Sequence, residues 1–190
     1  MTAGPQPPYY ISMKPIYYTG ITAVIIVLLL ADPSSVAAGG DYYRVTKVDD
    51  GDTVSIRTQS FLGVPLKIEK VRLIGIDAPE LKQQSWGRTA KRHLKEIISV
   101  CDWVVRLEYD LEQRDKYGRL LAYLWDKSGR MLNEQMVYDG YAIAFTIPPN
   151  LRYAERFDSA QQSAKMRRTG IWGKAGLRQS PYEWRKEHPR

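Results

Sequence analysis

The stretch from Val71 to Glu80 constrains this chain more than any other. It reads as a strand that is apolar on both faces, which belongs in a sheet covered on both sides, and Ala78-Pro79 turns the chain at its end. One cation, Arg72, sits inside the apolar run. Two carboxylates, Asp77 and Glu80, stand at its exit. A guanidinium in a core is costly unless an anion meets it. That anion is either a carboxylate of the protein or arrives with a substrate, and the rest of the chain favours the substrate.

The chain has 190 residues, enough for one domain with a real core. It carries 28 Lys+Arg against 21 Asp+Glu, a formal charge of +7. The first 38 residues hold one Lys (Lys14) and one Asp (Asp32), so the positive excess belongs to the remainder. Such an excess suits a polyanion, nucleic acid before anionic membrane, although alone it can also serve plain solubility. A lone cysteine, Cys101, excludes an intramolecular disulfide and a Cys-rich zinc site. Between a helix and a strand, it reads as a small buried residue. With only His93 and His188 available, a histidine metal site or a Ser-His or Cys-His triad is poorly supported. A general base here is a carboxylate.

The N-terminus reads as an address. Lys14 precedes the uncharged run Ile21 to Ala31, and small residues from Ser34 to Gly39 follow it. This is the pattern of a secretory signal peptide over residues 1–38, with cleavage after Ala37 or Ala38. The true start is either Met1 or Met13. The apolar run is shorter than the roughly 20 residues that a spanning helix prefers, and an uncleaved anchor with the domain outside is the alternative. The expected localisation is therefore periplasmic or extracellular.

From Asp41 the pattern becomes that of short strands. Tyr42 to Val48 and Thr53 to Arg57 are joined by the turn Asp49-Asp50-Gly51-Asp52, and Leu66 to Ile76 forms a third strand. Trp86, Ala90, Leu94, Ile97 and Ile98 then follow a helical period, with Ser85 as the cap. Trp103 to Leu111 and Leu120 to Trp125 are two more strands, the latter closed by the turn Asp126 to Gly129. A short helix runs from Leu132 to Tyr138 and ends at Gly140. A last helix follows Pro148-Pro149-Asn150, with Tyr153, Phe157, Ala160 and Ala164 as its apolar line, and stops at Gly170. The tail, residues 174–190, is polar and is expected to pack loosely. Five strands with a helix between the third and fourth predict an α+β fold: a five-stranded OB-type Greek-key β-barrel with about three helices.

Asp50-Gly51-Asp52-Thr53 is by itself an ordinary hairpin turn, and Asp77 an ordinary strand-end carboxylate. Together Asp52 and Asp77 offer hard oxygen donors from two adjacent loops, with the Ala78 carbonyl as a third. Carboxylates, a carbonyl and waters suit calcium. Arg119, at the end of Arg114-Asp115-Lys116-Tyr117-Gly118-Arg119, opens a barrel strand, although taken alone this segment is a charged surface turn. Two arginines, a metal and a further carboxylate on one pocket are apparatus for phosphoryl chemistry.

Five segments in this order carry a family resemblance: Asp50-Gly51-Asp52-Thr53-Val54, Arg72 to Glu80, Asp115 to Tyr123, Leu132-Asn133-Glu134 and Gly170-Ile171-Trp172. With them the chain resembles the staphylococcal nuclease (thermonuclease-like) family over residues 41–173. The resemblance implies a calcium-dependent phosphodiesterase that cuts DNA and RNA with little sequence preference and leaves 3′-phosphate ends. It implies Asp52 and Asp77 as metal carboxylates, with Ala78, where the family often has Thr, giving its backbone carbonyl. It further implies Glu80 as general base, Arg72 and Arg119 as phosphate-binding arginines, and Lys116 and Tyr117 near a terminal phosphate. Phe145 and Ile147 stand where the best-known member carries tyrosines, so a hydroxyl contact and part of a stacking platform are missing. A single-stranded substrate and a monomer without a dedicated protein partner are expected. The main rival is a nuclease-fold binding module that has lost catalysis. The third reading is an OB-type oligosaccharide or scaffold protein, which explains the barrel but neither arginine.

Overall fold

A computed structural model describes residue 1, residues 42–58 and residues 67–189. The expected leader, beyond residue 1, lies outside the described residues. The following concerns the unit Gly40–Arg190. Its strands are β1 (Tyr42–Val48), β2 (Thr53–Arg57), β3 (Ile68–Leu73), β4 (Gly75–Asp77), β5 (Val104–Glu108), β6 (Leu120–Trp125) and β7 (Ile143–Phe145). Its helices are α1 (Trp86–Val100), α2 (Leu132–Tyr138), α3 (Ala154–Arg167) and α4 (Pro181–Glu187). Strands β1-β2-β3-β6-β5 close a barrel, and β4 and β7 form a separate pair. Among the described residues no helix is long and apolar enough to cross a membrane.

The barrel interior follows from strand alternation, with one correction made by the backbone. Val45 and Val48 are three residues apart, which in a regular strand places them on opposite faces. The register against β2 slips between Val45 and Lys47, and both valines are buried. A bulge of this kind adds one residue and turns the strand's inner face. Strand β2 is buried from Thr53 to Ile56 and covered on both sides. Strands β3 and β6 run parallel, with Val71 opposite Leu120 and Arg72 opposite Leu121. Fully buried Asn133 of α2 stitches their ends. Its amide donates to the Ile74 and Ala122 carbonyls at 2.9 and 3.2 Å, and its oxygen accepts the Leu124 N–H at 2.9 Å. A buried amide that satisfies three backbone groups holds a register that apolar packing alone would leave free to slide.

The long strand expected over Leu66 to Ile76 is divided. Leu66 lies outside the described residues, β3 begins at Ile68, and the chain turns at Ile74 into β4. The cause is Gly75, whose φ of +82° is a left-handed conformation that a side chain resists. A Cβ there would also collide with the ring of Phe157 from α3. The turn takes β4 out of the barrel to pair with β7, with Asp77 opposite Ile143. Strand β7 is too short, at three residues, to have left a period in the sequence.

Other boundaries also move. The fourth barrel strand covers Val104–Glu108, less than the expected Trp103 to Leu111. Ser85 stands at the N-cap of α1, but its side chain makes no capping bond. Helix α1 buries Ala90, Leu94 and Ile98 of the expected line together with Gly87, while Trp86 and Ile97 are half-buried. Helix α3 stops before Gly170, because Arg168 takes the left-handed cap at φ 53° and Thr169 N–H returns to the Ala164 carbonyl at 3.1 Å. Cys101 is buried, and its thiol donates to the Ile97 carbonyl at 3.1 Å.

The tail differs most from expectation, because it is folded. Ser180 accepts the Glu183 N–H while the Glu183 carboxylate accepts the Ser180 N–H at 2.8 Å, a reciprocal capping box, with Pro181 at the first helical position. Buried Gln83 donates to the Gln179 carbonyl at 2.9 Å, and Trp86 Nε1 donates to the Ala175 carbonyl at 3.2 Å. Tyr182 lies 6.1 Å from Phe145, ring centre to ring centre. These contacts bring α4 to the mouth formed by β4 and the loop after it.

Candidate active site

Two loops meet at the end of the barrel. In the turn between β1 and β2, the Asp52 N–H donates to Asp50 Oδ1 at 3.1 Å, and Asp49 N–H closes on the Thr53 carbonyl at 2.9 Å. Gly51 packs so closely that a Cβ would lie 2.6 Å from the Ala78 methyl and 2.9 Å from that of Ala90. The turn is therefore pressed against the loop after β4 and against α1. A hairpin turn with no further role does not need such an approach.

Across this contact Asp52 Oδ2 accepts the Ala78 N–H at 2.8 Å. Asp52 Oδ1 accepts the Thr53 hydroxyl at 3.1 Å and is ion-paired with Arg72. Asp77 is completely buried, and its Oδ1 accepts from Arg72 at 3.1 Å. Arg72 also donates to the Asp52 and Ile76 carbonyls at 3.4 and 3.2 Å. Within the protein, Arg72 is thus met by two of its own carboxylates, Asp52 and Asp77. Burial pushes the Arg72 guanidinium below its ordinary pKa, opposed by Asp77 and Asp50. Burial likewise pushes the Asp50 carboxyl up, opposed by the Arg72 charge. Both directions follow from charges withdrawn from water and only partly compensated by neighbours.

Glu80 stands at the rim. Its N–H donates to Gln83 Oε1 at 3.2 Å, and its carbonyl accepts the Gln83 N–H at 2.7 Å, so a tight local turn sets its backbone. Its carboxylate accepts from Arg185 of α4 at 3.1 Å. Arg185 also grips Asp77 with both prongs, at 3.0 Å to Oδ1 and 2.9 Å to Oδ2. Sequence reasoning missed Arg185. The pattern Ser180-Pro181-Tyr182-Glu183 marks a helix start and was the one local signal that the tail is ordered.

Arg119 stands immediately before β6. It lies two residues before Leu121, the residue opposite Arg72, so strand alternation places both arginines on one face of the sheet. Its guanidinium is held by Asp115, with Nε and NH2 each 2.7 Å from Oδ2. Asp115 Oδ1 in turn accepts the Tyr117 and Arg119 N–H groups at 2.9 and 3.0 Å, which shapes the turn that presents Lys116 and Tyr117. Tyr117 is 72% exposed, with Lys116 and Arg119 at 5.2 and 5.6 Å from its ring centre. An open aromatic face flanked by two cations is suited to a base with its phosphate. Lys116 and Tyr117 form this outer platform, while Asp52, Arg72, Asp77, Ala78 and Glu80 are gathered in the inner cluster.

Among the described residues no group of three or more His, Cys, Asp or Glu side chains is arranged to hold a metal ion. The inner cluster nonetheless fits a hard cation by chemistry. Asp52, in the turn between β1 and β2, and Asp77, at the end of β4, are buried carboxylates linked through the Ala78 N–H, and oxygen donors of this kind suit a hard cation. His93 is engaged elsewhere, with Nε2 2.8 Å from Asp139 and its ring on Tyr141.

A family model described as Staphylococcal nuclease homologue matches residues 70–174. The chain is similar to a thermonuclease of Staphylococcus intermedius, 36% identical over 166 residues that cover 80% of this chain and 94% of that protein. It is 37% identical to a thermonuclease of Staphylococcus hyicus, covering 68% of this chain and 75% of that one. It is 34% identical to endonuclease YncB of Bacillus subtilis, over 67% of this chain and 59% of the relative.

Proposed function

The chain belongs to the staphylococcal nuclease family, and on that footing we propose a calcium-dependent, sugar-non-specific nuclease that leaves 3′-phosphate ends on DNA and RNA. It is a hydrolase of phosphodiester bonds, and its substrate is nucleic acid. The observation that carries the finer reading is the inner cluster. Asp52, Arg72 and Asp77 form one hydrogen-bonded unit at the barrel mouth, Glu80 sits on its rim and Arg119 shares the sheet face of Arg72.

In this reading Asp52, Asp77 and the Ala78 carbonyl hold calcium, which supplies neutralisation of the phosphate charge. Glu80 takes a proton from the attacking water. The water oxygen bonds to phosphorus, the bond from phosphorus to the 5′-oxygen breaks, and the 5′-oxygen leaves as a hydroxyl with a proton from solvent, to which Glu80 gives back the proton it took. Arg72 and Arg119 hold the non-bridging oxygens in fork geometry as charge builds on them. Lys116 and Tyr117 hold the terminal phosphate and its nucleotide. The formal +7 charge and the exposed Tyr117 favour single strands, whose bases are free to stack, and binding that weakens as salt rises. The active species is a monomer.

The test is digestion of single-stranded DNA and of the same sequence as a duplex. Cleavage is expected to be faster on the single strand, to stop in a calcium chelator and to return with calcium but poorly with magnesium, which demands a stricter octahedron. Undiminished cutting in chelator would sink the metal assignment. Tight binding with no cutting at saturating calcium would leave a nucleic-acid-binding module in place of the enzyme.

We infer export from Lys14, the apolar run and the small-residue exit. N-terminal sequencing of protein recovered from the periplasm or medium is expected to read from Ala38 or Gly39. Full-length chain confined to membranes would identify the segment as an anchor.

A further inference from the structure

Arg185 stands where the proposed chemistry needs no protein cation. Both oxygens of Asp77 are engaged by guanidinium N–H groups: Oδ1 by Arg72 and Arg185, and Oδ2 by Arg185. The same Arg185 nitrogen that reaches Asp77 Oδ1 also donates to Glu80. Charge-assisted, two-pronged bonds of this kind are among the strong ones in proteins. A carboxylate so occupied is a poor metal ligand, and a second cation on it meets like-charge repulsion.

The two arginines on Asp77 are not equivalent. Arg72 belongs to a central barrel strand and its side chain is 17% exposed, so it cannot leave without opening the barrel. Arg185 is 34% exposed and rides on a seven-residue helix near the end of the chain. A helix of that length is marginal on its own and stays formed through its cap and its few docking contacts. Phe145 meets the helix at Tyr182, and Gln83 and Trp86 hold the segment leading into it at Gln179 and Ala175, so the guanidinium is delivered without involving the carboxylates.

We propose that Arg185 is a displaceable resident counter-ion of Asp77 and Glu80, and that it sets the affinity of the site for a divalent cation by competing for those carboxylates. The proposal rests on the reading of Asp77 as a metal ligand. Its consequence is a coupling: cation binding releases α4, and docking of α4 weakens cation binding by the fraction of time the arginine holds its place. Arg185 is a positioning residue in this scheme, not a catalytic one.

Calorimetric titration of calcium alone into the full chain tests this. Arg185→Gln is expected to tighten calcium binding by about tenfold or more. Tyr182→Ala, which loosens α4 at Phe145 without touching a carboxylate, is expected to tighten it by less, and Asp77→Asn to abolish it. The direction is diagnostic, since damage to the fold would weaken binding. In the wild-type chain, calcium is also expected to speed tryptic cleavage after Lys174 and Arg178, whereas simple stabilisation by a ligand would slow it. Unchanged or weaker binding by folded Arg185→Gln would overturn the competition and leave the calcium site standing, as would a tail no more accessible with calcium. Absence of calcium binding from both wild type and Arg185→Gln would overturn the calcium reading and the competition with it.

Discussion

Arg119→Ala is expected to cut kcat on single-stranded DNA by about 10³–10⁵ at saturating calcium, the range of an arginine that meets charge only in a phosphoryl transition state. The structure supports a clean experiment. Arg119 is 30% exposed and tied to Asp115, and it takes no part in the hydrogen bonds that join Asp52, Arg72 and Asp77. Its removal therefore leaves the inner cluster assembled. Arg119→Lys is expected to recover little, because an ammonium cannot make the two-pronged contact. The matching substitution at Arg72 is less informative. Arg72 neutralises two buried carboxylates, and removing one partner of a buried pair typically costs about 3–5 kcal/mol. Loss of activity there would mix catalysis with folding. Steady-state kinetics with a circular dichroism check on fold decides the matter, and a loss below about tenfold would remove Arg119 from the catalytic set.

Glu80→Gln is expected to lower kcat by about 10²–10⁴ while DNA binding and fold are kept. Gln retains an acceptor oxygen for Arg185, and the turn that positions residue 80 depends on its backbone and Gln83. The isosteric amide removes the capacity to take a proton and the charge paired with Arg185, and leaves the local turn in place. Combined with Arg119→Ala, the losses are expected to fall short of the product of the single losses, since both groups act on one transition state. Product formation in single-turnover experiments separates this from slow release. Wild-type rates in Glu80→Gln would move the base to another residue.

The contrast between Glu80 and Arg185 shows how far the sequence could be read. Glu80 lies three residues beyond Asp77, at the exit of an apolar run, and its place at a strand end follows from local pattern alone. Arg185 reaches the same carboxylates from 105 and 108 residues away. Its own neighbourhood is a polar tail with nothing to say where it docks. The capping box announces a helix, but a seven-residue helix has no apolar period from which to read a partner. The same limit hid β7, whose three residues form a strand because Gly75 sends β4 out of the barrel to meet them.

By itself the sequence determined the barrel strands, the helix between β4 and β5 and five of the charged residues at the site, Asp52, Arg72, Asp77, Glu80 and Arg119, but not Arg185. All are written in short-range terms: alternation, the 3.6-residue period, Asp-Gly and Ala-Pro turns, and a cation set in an apolar run. Only the tertiary structure decided what those charges do to one another. It gave Arg72 two protein carboxylates as partners, joined Asp52 to the Ala78 N–H, and brought α4 to Asp77 and Glu80. The reason is that a charge acts through space with an energy set by distance and burial. The chain records which groups are present, while the fold alone brings them within hydrogen-bonding reach.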